Sequence, residues 1–225
     1  MIPTWSFSRL KDFEKCPRMA LLKFQKVMPA EQHPAAERGT KIHLAAENFV
    51  QGNAPMIKEL KGYEEAFNEL RTEYVEGKVE LEGDWGFTNN WEITGWMADD
   101  VWARVKLDAM VREVPTHARV IDYKTGKKFG NEVSHSQQCQ LYEIATFLRI
   151  PELESVQSEL WYVDQKGKPT IRQVSRAQAM AAFPSFNARA TKMTTATEFP
   201  AHANKYNCKW CQFKGTEHCP EGVTE

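Results

Sequence analysis

Apolar residues recur along this chain at two spacings, and the changes between them mark out its elements. Leu10, Phe13, Met19, Leu21, Leu22 and Phe24 follow helical steps behind Ser6 or Ser8, either of which can cap a first helix. Cys16-Pro17 falls in the middle of that pattern, and proline lacks the amide a helix interior needs. A kink or a division in two is expected there. A polar, proline-containing stretch at 29–34 follows, after which Thr40 is placed to cap a helix through Phe49. The clearest helical stripe is Leu60, Tyr63, Phe67, Leu70 and Tyr74, within 59–77.

From Lys78 the period falls to two. Val79 and Leu81 alternate with Glu80 and Glu82, and Gly83-Asp84 reads as a turn. The tryptophan-rich stretch 87–102 reads as strand and loop, with turns at Asn89-Asn90 and Asp99-Asp100. A β-hairpin comes next. Val105, Leu107, Ala109 and Val111 alternate with Lys106, Asp108, Met110 and Arg112; Pro115-Thr116-His117 forms the turn, and 118–123 the second strand. A helix over 134–148 turns Leu141, Ile144, Ala145 and Leu148 inward. Strands at 156–163 and 169–174 flank a turn at Gln165-Lys166-Gly167-Lys168. Ser175 then caps a helix that runs towards Met193 and breaks near Pro184. No repeat, low-complexity tract or linker divides the chain, so 1–225 is expected to form a single domain.

Composition changes this picture little. With 225 residues, 42% hydrophobic and 26% charged, a soluble globular protein with one good core is expected. The 29 basic and 30 acidic residues leave a net charge of −1, so any contact with nucleic acid must come from a local patch. No apolar run approaches the ~18–20 residues of a membrane span. The segment MIPTWSFSRLKDF lacks the design of a signal peptide, so a cytoplasmic location without membrane partners is expected. The five cysteines, Cys16, Cys139, Cys208, Cys211 and Cys219, are an odd number. That argues for metal ligation or free thiols over a disulfide framework.

The hairpin carries the strongest candidate chemistry. Asp122 and Lys124 are two apart and share a face of their strand, and Asp108 on the neighbouring strand can join them. Two carboxylates suit a hard divalent cation such as Mg²⁺, and a lysine can orient water and offset charge in phosphodiester hydrolysis. A strand-end ion pair between Asp122 and Lys124 is the plainer alternative. His43 sits near a helix start with Glu47 one turn on, either as a ligand or as an ordinary helical histidine. Gln138 and Tyr142, four apart, share a helical face. The tryptophans can stack on bases or fill the core. Cys208-Lys209-Trp210-Cys211 with Cys219 offers three metal ligands and Cys16 a fourth, with His202 and His218 as competitors if the metal is zinc. Cys139 reads as a buried apolar residue.

Taken in order, SFSRLKDFEKCP, GTKIH, the strand with Glu80 and Glu82, Asp108, Asp122-Tyr123-Lys124-Thr125-Gly126, Gln138-x₃-Tyr142 and the terminal cysteines resemble the RecB-type branch of the PD-(D/E)xK nuclease superfamily. This branch includes the RecB and AddB nuclease domains and CRISPR-associated adaptation nucleases; viral recombination exonucleases are related. The resemblance implies an α/β, restriction-endonuclease-like fold: a central mixed sheet flanked by helices, with an N-terminal helical segment clipped to a C-terminal cysteine-bound cap made by 1–30 and 200–225. It implies an Mg²⁺- or Mn²⁺-dependent deoxyribonuclease, an exonuclease of recombination, repair or phage DNA processing. DNA is its implied substrate, and a homo-oligomer or a recombination-protein partner is in keeping with it. By the same resemblance His43, Asp108, Asp122 and the Tyr123 carbonyl are metal ligands. Lys124 is the catalytic lysine, and Gln138 and Tyr142 position the scissile strand. Glu80 is the chosen upstream acid, although Glu82 has the same facing. Cys16, Cys208, Cys211 and Cys219 match the one-plus-three arrangement of a 4Fe–4S cluster, with zinc the second choice because the gap from Cys211 to Cys219 is longer than the family pattern. Lys127 and Lys128, with Arg9, Lys11 and Lys15, are candidate phosphate contacts. A non-catalytic DNA-binding or assembly protein, or a CRISPR-type adaptation factor working in a complex, are the alternatives.

Overall fold

The structure is a computed structural model and describes residues 1–28, 34–165 and 167–223. The expected polar stretch at 29–34 therefore lies almost wholly outside the described residues, as does Lys166 of the expected turn.

A six-stranded sheet forms the middle of the molecule, in the order β2-β1-β3-β4-β5-β6. Its strands are β1 (Val79–Phe87), β2 (Ile93–Thr94), β3 (Ala103–Val114), β4 (His117–Lys124), β5 (Ser155–Tyr162) and β6 (Thr170–Ser175). Neighbours run antiparallel except β4 and β5, which are parallel. A parallel neighbour needs a crossover, and helix α5 (Glu132–Arg149) makes it.

Each face of the sheet buries its own core. The first core joins Trp5, Leu10 and Phe13 to Trp85, Val105, Val120, Leu141, Phe147, Phe186 and Met193. The second places Ile42, Phe49, Phe67 and Leu70 over Ala109, Ile121, Tyr123 and Trp161. Helices α3 (Pro34–Val50) and α4 (Glu64–Val75) cover that second side. The central strands are apolar on both faces because both faces are covered.

The N-terminal helix does divide at Cys16-Pro17. Helix α1 (Phe7–Lys15) ends and α2 (Pro17–Gln25) begins around Cys16, which is extended at φ −159° and ψ 105°. Proline disfavours a helical residue before it and is at home in a first helical turn. Asn207 Nδ2 donates to the Lys15 carbonyl at 2.9 Å, and the Arg18 N–H to that of Pro200 at 3.2 Å. The hinge thus packs against the C-terminal segment.

Two expected boundaries differ. Thr40 is not a cap: α3 already starts at Pro34, and the Thr40 hydroxyl donates back to the Ala36 carbonyl inside the helix. Gly83-Asp84 is not a turn but part of β1, opposite Leu107 and Lys106. Near Pro184 the helix breaks as expected, into α6 (Arg176–Met180) with its Ser175–Gln178 capping box and α7 (Phe183–Thr194). A short α8 (Lys205–Cys208), capped by Asn204, begins the cysteine tail.

Glu143 of α5 is fully buried in the sheet-facing side. Its Oε1 accepts from Ser158 Oγ at 2.7 Å, and Arg172 is its nearest cation, at 3.5 Å. Burial raises its pKa, with Ser158 and Arg172 pulling it back. Since the folded pKa lies above the unfolded one, the cost of holding this carboxylate ionised is absent at low pH. It grows as pH rises from about 4.5 through the raised folded value. Glu143→Gln should therefore gain stability relative to wild type between acid and neutral pH, as read from paired thermal melts. A difference in Tm that is the same at every pH would refute this.

Candidate active site

β4 carries Asp122 and Lys124, and β3 brings Asp108 beside them. The paired register of the two strands ends at Ala109 opposite Ile121. Beyond it the Tyr123 N–H donates to Asp108 Oδ2 at 2.6 Å. A side-chain carboxylate thus takes the place of a strand carbonyl for that buried amide.

β1 breaks at the same level. Glu82 has φ 49°, a left-handed conformation uncommon for a side chain of this kind, and the register passes over it from Leu81–Ala109 to Gly83–Leu107. The result is a change of face. Trp85, Phe87, Val105 and Leu107 pack in the first core, whereas Leu81, Ala109 and Val111 pack in the second. Undisturbed strands would keep all of these odd-numbered residues on one side.

His43, on α3, reaches Asp108 Oδ1 with Nδ1 at 3.0 Å. Burial alone would lower the histidine pKa, but the hydrogen bond and charge of Asp108 outweigh it and raise it. Burial raises the Asp108 carboxyl; His43 draws it back and Asp122 adds to the rise. Gly39 lets α3 come this close, since a Cβ there would stand 3.1 Å from Thr125 Oγ1 just after β4. Gly126, at φ 111°, turns the chain after that strand, and its N–H donates to Asp164 Oδ2 at 2.7 Å. Arg38 of α3 clamps the same Asp164 with both of its terminal nitrogens.

Lys124, Gln138, Tyr142 and Asp122 form a closed ring. Lys124 Nζ donates to Gln138 Oε1 at 2.7 Å, and Gln138 Nε2 donates to the Tyr142 hydroxyl at 2.5 Å. That hydroxyl donates to Asp122 Oδ1 at 3.2 Å, and Asp122 Oδ2 lies 2.5 Å from Lys124 Nζ. The last contact is a close, buried ion pair. The ring explains the Q-x₃-Y spacing: two residues one helical turn apart hold, respectively, the lysine and the acid. Tyr142→Phe should remove one buried bond and leave the Gln138 amide without its acceptor. We expect a loss of about 1–3 kcal/mol in stability, measured by urea unfolding. An unchanged midpoint would show that the ring carries no such energy.

Not every candidate converges here. Glu80 is bound to a neighbour on its own strand. Its Oε1 accepts from Trp85 Nε1 at 2.8 Å, and Arg149 lies over that same indole. Arg149 is eleven residues along α5 from Gln138, about 16 Å at 1.5 Å per residue. Glu82 is the nearer acid: it faces Lys106 at 2.9 Å, and its charge acts on Tyr123. The Tyr123 ring is buried edge-on to His43, so only its backbone is available to a ligand. Arg9 is structural, bonded to Thr4 through its carbonyl and hydroxyl and lying over Phe24. Lys128 is engaged with Thr170 and the Tyr162 ring. Trp5, Trp85, Trp91 and Trp161 are core residues.

Cys16, Cys208, Cys211 and Cys219 line one small cavity between the α1–α2 hinge and the tail. His202 meets Cys16 through its backbone, donating N–H to Sγ at 3.4 Å, and His218 lies 3.7 Å from Glu217. Burial raises the Cys219 thiol, with Glu221, Cys16 and Cys211 adding to the effect. Cys139 is buried beside Leu160 and Tyr162, and burial pushes its thiol up to about 12. Among the described residues no group of three or more His, Cys, Asp or Glu is already gathered tightly enough to enclose a metal ion.

Residues 4–219 match the family profile of the PD-(D/E)XK nuclease superfamily. The chain belongs to this superfamily. Its members generally use Mg²⁺ or Mn²⁺. Among solved structures, a protein of Eubacterium rectale provisionally described as an exonuclease is similar, with a TM-score of 0.56 and 14% identity over 99% of this chain and 89% of that one. An alkaline exonuclease from Laribacter hongkongensis matches with a TM-score of 0.35 and 9% identity, over 85% of this chain and 88% of that one. At these identities the first likeness bears on fold alone. No curated protein matches the chain. The superfamily fold agrees with the mixed sheet flanked by helices, and no helix among the described residues is long and apolar enough to cross a membrane.

Proposed function

We propose that this nuclease hydrolyses DNA phosphodiester bonds from strand ends, using Mg²⁺ or Mn²⁺. The single observation that supports it most is the ring in which Lys124 and Asp122 are held by Gln138 and Tyr142, beside the Asp108–His43 pair. The donor set fits a hard cation. Asp122 and Asp108 are buried carboxylates on neighbouring strands, the oxygen ligands such a cation takes. His43, Asp108, Asp122 and the Tyr123 carbonyl would hold the ion, with Glu82 in place of Glu80 as the further acid. When bound, the ion polarises the phosphate and lowers the pKa of its water.

The chain's own groups do the rest. Gln138 Oε1 aims Lys124 Nζ, so the ammonium is fixed where charge develops on the attacked phosphate, without reorganisation during the reaction. Tyr142 holds the orientation of Asp122, and His43 that of Asp108. Cleavage from an end needs only contacts to the strand backbone. Recombination, repair or phage DNA processing is the setting such an activity serves, with the whole chain as one nuclease domain.

The four cysteines would hold a 4Fe–4S cluster, or zinc, as a clip between the chain's two ends. Their lining of one cavity supports this, and thiolates suit either metal. Elemental analysis of protein purified without oxygen should find iron with acid-labile sulfide, and less of both in Cys208→Ser. Zinc in their place decides for the second metal, and neither metal rejects the clip.

The activity is tested on linear and covalently closed circular DNA with Mg²⁺ or Mn²⁺. Loss of linear DNA only is the expected result. Cutting of circles would make the enzyme an endonuclease, and no cutting of either would leave a DNA-binding protein.

A further inference from the structure

Next to the ring, on the side of α1, lies an open basin of about 530 Å³. Lys124, Gln138 and Tyr142 form one wall of it, and Lys11, Arg104 and Trp96 reach it from elsewhere in the chain. Its lining includes four cations, Lys11, Arg104, Lys106 and Lys124, and not one carboxylate. That is a strong local excess in a chain of net charge −1. Lys106 has acidic partners in Glu82 and Asp84, and Lys124 in Asp122, none of which lines the basin. Lys11 and Arg104 have none within 4 Å among the described residues. Lys11 Nζ instead meets Ser134 Oγ at 3.0 Å, and Arg104 Nε donates to the Trp96 carbonyl at 2.9 Å.

We propose that this basin is the path of a single DNA strand into the active site, with Lys11 and Arg104 on its phosphates and Trp96 under a base. The inference rests on the nuclease reading above and adds the substrate class to it.

Three features favour it. Lys11 is tied to Ser134 and Lys124 to Gln138, and those two α5 residues are four positions apart, about 6 Å along the helix. Such a step is of the same order as the spacing of phosphates along a strand. The basin has the size of a small-ligand site, a volume that a segment of isolated strand can occupy. Trp96 is half-buried at its edge with Arg104 over its ring, 5.4 Å from the centroid. An indole ring there offers a face on which a base of an isolated strand can stack.

The test measures binding by fluorescence anisotropy in chelator, with cleavage run separately in Mg²⁺. The probes are a single-stranded oligonucleotide and a blunt duplex of the same sequence. Lys11 is exposed, so Lys11→Ala leaves the fold intact; Trp96→Ala is the second variant. Lys11→Ala should weaken single-strand binding about tenfold and reduce its log–log salt slope by about one. Trp96→Ala should weaken single-strand binding about tenfold and leave the duplex nearly unchanged. Unchanged binding and slope in Lys11→Ala, with a wild type that cuts, rejects the basin and leaves the nuclease. Equal losses on strand and duplex in Trp96→Ala overturn the single-strand assignment. Binding with the expected dependence but without any cleavage supports the basin and overturns the nuclease reading.

Discussion

Lys124→Ala should lower the rate of DNA cleavage by about 10²–10³-fold, the usual cost of removing one preorganised group at developing charge. The lysine side chain is only 16% exposed and touches both Asp122 and Gln138. Its removal deletes the ring's own cation. It also leaves a buried carboxylate without its ion pair, and breaking such a pair can cost about 3–5 kcal/mol in folding. Stability and activity must therefore be separated. Thermal melts establish how much variant is folded, and Lys124→Met restores the apolar stem without the charge. Both variants should cut DNA far more poorly than the loss of oligonucleotide binding accounts for, a loss of about tenfold as for Lys11→Ala, since Lys124 also lines the basin. If Lys124→Ala, once corrected for its folded fraction, cuts within threefold of wild type, the lysine is not part of the chemistry.

Phe67→Ala should cost about 3–5 kcal/mol of folding stability, lowering Tm by about 2–4 °C per kcal/mol in a chain of this length. Phe67 is fully buried at the centre of the second core. Its ring centroid lies 5.0 Å from Trp161, 5.2 Å from Tyr123 and 6.4 Å from Phe49. A cavity there would open beneath Tyr123, whose amide is held by Asp108, so the loss should spread to the site as well. Phe67→Leu keeps most of the volume and should lose less than half as much. Calorimetry that shows Phe67→Ala melting within 2 °C of wild type would mean that this core is not packed as described.

What was legible in the sequence was local. The hairpin, with Asp108 on one strand and Asp122 and Lys124 on the other, follows from period-two alternation around Pro115-Thr116. Gln138 and Tyr142 are placed on one helical face by spacing alone, and Pro17 announces the hinge that leaves Cys16 facing the tail. What escaped depends on distant contacts or on backbone that departs from ideal geometry. Alternation puts Glu80 and Glu82 on the same face, but the left-handed Glu82 turns its strand over, so one acid meets Trp85 and the other Lys106. No side-chain pattern marks that residue. Thr40 resembles a cap, yet Pro34, itself suited to a first helical turn, begins the helix earlier. The parallel pairing of β4 with β5, and the bond from Lys11 to Ser134 across 123 positions, are set by the packing of the whole chain.

The most direct measurement of the central claim is the initial rate of linear DNA loss for wild type and Asp108→Asn, in Mg²⁺, in Mn²⁺ and in chelator. Asn keeps an oxygen that can accept the Tyr123 amide, so the splayed strands persist, but it removes the charge a cation needs. The account predicts cleavage by wild type in either metal, none in chelator, and a rate for Asp108→Asn at least about 10²-fold lower with a similar Tm. Cleavage that continues in chelator, or is indifferent to Asp108→Asn, would contradict a metal-dependent site at Asp108, Asp122 and Lys124.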